Sequence, residues 1–100
     1  MPVKLVKTGI TQTLSAGKSK TMHWNNASPA EAVWTVNAVP LPQNAKSSHS
    51  GSVEVTRTWR KITVSVPSTG TPKTEHEIHF TIKNPGTSSV KYTVYLLVAW

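Results

Sequence analysis

Val90-Lys91-Tyr92-Thr93-Val94-Tyr95-Leu96-Leu97-Val98-Ala99-Trp100 closes the chain, and its alternation decides the fold class. Successive side chains of a strand point to opposite sides, so Val90, Tyr92, Val94, Leu96, Val98 and Trp100 line one face. Tyr95, Leu97 and Ala99 make the other face apolar as well. A strand apolar on both faces is covered on both, and an uncovered one invites aggregation. The expectation is therefore a strand whose second face is closed by another copy of the chain or by a loop such as residues 43–52. Tyr95, Leu97, Ala99 and Trp100 are the candidate interface for self-association.

Upstream, Asn84-Pro85-Gly86 reads as a tight hairpin connection into this strand. Before it, His76, Ile78, Phe80 and Ile82 share one face, while Glu75, Glu77, His79 and Thr81 share the other. Pro67-Ser68-Thr69-Gly70-Thr71-Pro72 is a turn by composition. Preceding that turn, apolar residues fall on odd numbers (Val53, Val55, Trp59) and then on even ones (Ile62, Val64, Val66). A strand keeps its phase, so the pattern predicts a β-bulge or a change of sheet near Arg60 and Lys61. Either would put a basic pair at a corner.

Residues 43–52, rich in Ser, Asn and Lys, lack periodicity and read as a surface loop. Ala32, Trp34, Val36 and Ala38 point one way along a strand and mark the centre of the core. Residues 25–31 form a polar insertion, in which Ser28, Pro29 and Glu31 carry the signature of a helix start. The β-branched residues that follow limit it to a single turn. At the N-terminus, Val3 and Leu5 suggest a short strand ended near Gly9, followed by a second over 10–14. Ser15-Ala16-Gly17 then turns the chain into 18–24, where Met22 and Trp24 share a face. Seven or eight short strands with turn signals between them predict an all-β, single-domain antiparallel β-sandwich, with a small β-barrel as the alternative.

Composition agrees with one such domain. The chain has 100 residues, 37% of them hydrophobic, and no cysteine, which excludes a disulfide framework, a thiolate metal site and a thiol nucleophile. No apolar run approaches the roughly 20 residues of a transmembrane helix. Residues 1–7 carry charges and no apolar h-region, so a chain without a secretory leader is expected; the compartment is not legible.

Charge is the strongest functional signal. Eleven Lys and Arg face four carboxylates, Glu31, Glu54, Glu75 and Glu77, for a net charge of +7. Such an excess attracts polyanions. It combines with aromatic residues in two stretches: Arg57, Trp59, Arg60 and Lys61, and Lys18, Lys20, His23 and Trp24. Cationic side chains neutralise phosphate, sulfate or carboxylate, while an exposed indole stacks on a base or a sugar ring. The competing reading keeps Trp24 and Trp59 in the core, with their basic neighbours alternating to solvent.

Other motifs carry less. Gly17-Lys18-Ser19 lacks the earlier glycine and the following helix of a phosphate-binding loop. On a strand, His76 and His79 point to opposite faces and cannot share an ion, whereas Glu75, Glu77 and His79 share one as a shallow polar face. No metal site or cofactor is expected. No nucleophile elbow and no HExxH motif occurs, so catalysis has no sequence support. Asn26-Ala27-Ser28 is a glycosylation sequon on a loop.

The sequence thus points first to a non-catalytic, self-associating binding module. Its candidate partners are an anionic glycan, an anionic membrane surface or, without sequence reading, nucleic acid. The alternative is a structural subunit of a homo-oligomer or larger assembly without a small ligand; an enzyme ranks last.

Overall fold

Alternating apolar and polar positions, β-branched residues and the absence of any extended helical period dictate strands. The structure is a computed structural model that describes all residues except Met1, Ser28, 43–47 and His49. It is all-β, and among the described residues no helix occurs. The strands are β1 (Val3–Leu14), β2 (Ser19–Asn25), β3 (Val33–Leu41), β4 (Glu54–Ser65), β5 (Lys73–Lys83) and β6 (Val90–Ala99). They form two antiparallel three-stranded sheets, ordered β1-β6-β3 and β2-β5-β4.

Six strands replace the expected seven or eight because Gly9 does not end a strand. It takes a left-handed backbone (φ 73°) inside β1, which continues through it. The β1–β6 register passes from Lys7↔Tyr95 to Thr11↔Thr93, four residues on β1 against two on β6. An even excess preserves the phase, so Val6 and Ile10 both pack on the core. Threonine side chains satisfy the displaced backbone. Thr8 Oγ1 donates to Val94 O (2.7 Å) and accepts from Ile10 N (3.0 Å), and Thr93 Oγ1 donates to Ile10 O (3.0 Å).

A second irregularity decides which way the basic stretch faces. The β4–β5 register passes from Val55↔Ile82 to Arg57↔Thr81, two residues against one, so Thr56 is the extra residue of a bulge. The phase change expected near Arg60 and Lys61 is therefore real but sits four residues earlier. Beyond it Arg57, Trp59 and Lys61 take one face of β4, while Thr58, Arg60, Ile62 and Val64 take the other, that of Val55. The expected corner grouping of Arg57, Arg60 and Lys61 is corrected accordingly.

Residues 84–86 do not make a hairpin either. β5 and β6 belong to different sheets, and Asn84 organises the passage between them. Its Nδ2 donates to Leu14 O (2.9 Å) and Ser88 O (2.7 Å), and its Oδ1 accepts from Gly86 N (2.9 Å). Alternation reveals faces but not partners, which is why the crossing reads as a hairpin from sequence.

The core draws on both sheets: Val36, Val90, Tyr92, Val94 and Leu96 from one, Ile78, Phe80 and Ile82 from the other. Ala32 and Val36 are buried as expected, but Trp34 is only half-buried. The expected turn after Pro29 closes with Ala32 N donating to Pro29 O (3.1 Å); the cap assigned to Ser28 and most of the 43–52 loop lie outside the described residues. β2 pairs with β5 only over Glu77–Lys83, while β4 continues with β5 to Ser65↔Lys73. The protruding two-stranded arm exposes Ile62 and Val64 and, with Val66 beyond it, lengthens the molecule to 60 × 34 × 20 Å.

Candidate functional site

The Thr56 bulge turns Trp59 away from the core and brings it into register with His79 on β5, which in turn faces His23 on β2. Neighbouring strands lie about 4.8 Å apart, so rings at directly opposed positions come to stacking distance. Trp59 and His79 have centroids 5.3 Å apart at 24°, and His79 and His23 5.1 Å apart at 25°. Three rings thus form a continuous ladder across the outward face of the β2-β5-β4 sheet.

Charges flank this ladder on either side. The Arg57 guanidinium carbon lies 4.5 Å from the Trp59 ring centroid, a cation–π contact. Lys61 stands opposite Glu77, one row further along. Glu77 Oε1 approaches His79 Nε2 at 3.3 Å and His23 Nε2 at 4.0 Å. The closer pair is out of hydrogen-bond alignment, so Nε2 of His79 is buried without a hydrogen-bond partner among the described residues. Glu77 therefore works against the imidazoles, and among the described residues no Lys–Glu ion pair forms on this face.

Arg57, Trp59, Lys61 and His23 are brought together. Arg60 is not: it sits on the opposite face, its Nε donating to Glu77 O (3.3 Å), its Nη2 to Ala27 O (3.2 Å), and its guanidinium 5.9 Å from the Trp34 ring. Lys20 and Trp24 share that opposite phase of β2, and Lys18 lies in the turn before it. Sequence reading placed His79 and Glu77 outward but missed them as site residues. The missing information was that β5 lies between β2 and β4.

Trp24 packs partly on the core and, with Trp34 and Trp100, lines a cleft where the two sheets end. Of the expected interface residues, Tyr95, Leu97 and Ala99 occupy the outward face of the β1-β6-β3 sheet. There they adjoin exposed Val3, Leu5 and Val33. Trp100 belongs to the cleft instead.

Among the described residues no group of three or more His, Asp or Glu has an arrangement that could hold a metal ion, and no helix is long and apolar enough to cross a membrane. The chain matches no protein-family model, no curated protein and no solved structure.

Proposed function

We propose that this chain is a non-catalytic binding module, one β-sandwich domain, that engages an anionic, glycan-bearing surface through the outward face of β2-β5-β4. The observation that carries the reading is the stacked row Trp59–His79–His23 with Arg57 over its outer indole. The row spends its ring faces on one another and holds Arg57 in place, so that Arg57 and Lys61 border a rigid strip of ring edges and offer fixed positive charge to the anionic groups of sulfated or carboxylated sugars. The test is salt-dependent retention on immobilised heparin. Arg57→Gln with Lys61→Gln should reduce the salt slope by roughly one unit for each lost contact. An unchanged slope removes this face from the function.

Self-association through the other sheet is a second reading, favoured by a specific observation. Val3, Leu5, Val33 and Leu97 are exposed side by side across β1, β6 and β3. The edges of that sheet are blunted by Lys4, Lys7 and the Gly9 bulge on β1 and by Pro40 on β3, so pairing face to face is favoured over pairing edge to edge. A second copy would double the number of binding faces and raise avidity for a repetitive surface.

A further inference from the structure

We infer that the cleft between the sheet ends is a separate binding site for a sugar ring that is neutral or carries a carboxylate. It does not rest on the outward-face reading. Trp24 stands near the end of β2, Trp34 near the start of β3, and Trp100 just past β6, all in core-facing phase at the same end of the fold. Beyond Ile78 and Val98 the core narrows to Ala27 and Ala32, and although Trp24 and Trp34 pack against it, the three indoles leave a space between them. They surround an open cleft of about 430 Å³, whose lining also includes Lys4, Asn25 and Asn26. That size falls within the roughly 300–1,000 Å³ of small-ligand sites.

Shape, charge and unspent donors select the ligand class. Among the described residues no ring contact joins the three indoles to one another. They enclose the space from three strands and do not form a parallel slot, which suits a puckered ring with apolar C–H faces better than a flat base. Among the lining side chains Lys4 is the one cation and none is acidic, which favours a neutral or carboxylate-bearing ligand over a quaternary ammonium. The Trp34 indole N–H is tied to Pro29 O at 3.5 Å. Those of Trp24 and Trp100, and the side-chain amides of Asn25 and Asn26, have no hydrogen-bond partner among the described residues. Hydroxyl, acetamido and carboxylate groups of a pyranose would satisfy them.

The test uses the Trp59→Phe protein, in which Trp24, Trp34 and Trp100 supply all remaining indole emission. The probe is a hyaluronan tetrasaccharide, alternating glucuronate and N-acetylglucosamine. It is titrated at roughly 0.5 M salt, where screening suppresses charge-driven contact with the outward face. A saturable change in emission is expected, weakened at least ~10-fold by Trp100→Ala, the scale of one lost ring contact. Trp100 is 47% exposed and lies outside the strand, so its removal should leave the melting temperature nearly unchanged. Lys4→Gln and Asn25→Ala, both at exposed positions, provide a second pair that should each weaken the response. No saturable response, or one indifferent to all three substitutions, overturns the site. An equal response to adenosine or choline overturns the sugar assignment.

Discussion

Trp59 and His79 are directly opposed Cα partners on β4 and β5, and their rings lie 5.3 Å apart at 24°. Residue 59 reaches this position because Thr56 is taken up as a bulge; in an unbroken register from Val55 the indole would instead stand opposite Ile78, in the core-facing phase. Three residues apart on the regular stretch beyond the bulge, Arg57 and Arg60 lie on opposite faces of the sheet. Arg57→Gln should therefore weaken heparin retention with little change in stability. Arg60→Gln should do the reverse, lowering stability by about 1–3 kcal/mol through the loss of its bonds to Ala27 O and Glu77 O. Heparin elution and urea midpoints on both variants check the split. Equal effects on elution would show that the two arginines serve one surface.

Asn84 is buried and its side chain bonds three backbone groups, the Leu14 and Ser88 carbonyls and the Gly86 N–H. Asn84→Ala should cost about 3 kcal/mol, roughly 1 kcal/mol for each bond, and lower the melting temperature by well over 10 °C for a domain of about this size. Asn84→Asp should cost more at neutral pH, because it places a carboxylate against the Leu14 and Ser88 carbonyls. Thermal melts of the two variants check both magnitude and order.

Tyr92 is fully buried and its hydroxyl has no hydrogen-bond partner among the described residues. Removing an unpaired buried polar group while keeping the ring should be neutral or stabilise by about 1 kcal/mol, so Tyr92→Phe is expected to melt no lower than the parent. Burial also pushes the hydroxyl above the ordinary tyrosine value. The unfolded chain therefore ionises first, at about pH 10. Stability linked to this group is complete below that pH and is lost as pH rises through the folded value. Tyr92→Phe should lose less stability than the parent between about pH 9 and 11, measured as the difference in urea midpoints.

Phe80 and Ile62 test where the core ends. Both are large apolar residues in core-facing phase, but Phe80 is inaccessible and Ile62 is exposed on the protruding arm. Phe80→Ala should cost about 3–5 kcal/mol, and Ile62→Ala about 0.5 kcal/mol or less. Chemical denaturation of the two proteins measures the contrast.

These residues also show what a one-dimensional pattern can hold. Period-two alternation identified the inward faces of β5 and β6, because each central strand is buried along most of its length: Ile78, Phe80, Ile82, Val94 and Leu96 were all legible. It assigned Ile62, Val64 and Val66 correctly to one face but could not show that the opposing sheet ends before reaching them. A break in phase announced the β4 bulge without locating it, since Trp59 looks apolar on either face. Gly9 reads as a strand end, yet two extra residues on β1 restore the phase and the strand runs on through it. The site was the least legible feature. His23 comes from β2, remote in sequence from the consecutive β4 and β5 that carry Trp59 and His79, and only the sheet order β2-β5-β4 makes the three neighbours.

Tyr95 and Leu97 point away from the core on the central strand of the β1-β6-β3 sheet. Around them Leu5 pairs with Leu97, and Val3 and Val33 flank Ala99. A groove in this face is lined by Leu5, Thr35, Val39, Tyr95 and Leu97, and no charged side chain joins that lining. At roughly 25 cal/mol for each Å² of apolar surface removed from water, covering this face favours association. The expected outcome is a parent that sediments as a dimer or larger species at micromolar concentration. Tyr95→Ser with Leu97→Ser should leave the buried positions of β6 untouched and shift the protein to a folded monomer. Circular dichroism would verify the fold, and sedimentation velocity the mass. Self-association driven by apolar burial should also persist at high salt, whereas association bridged by a polyanion should vanish there. A parent that remains monomeric at high micromolar concentration in both low and high salt would refute the interface outright.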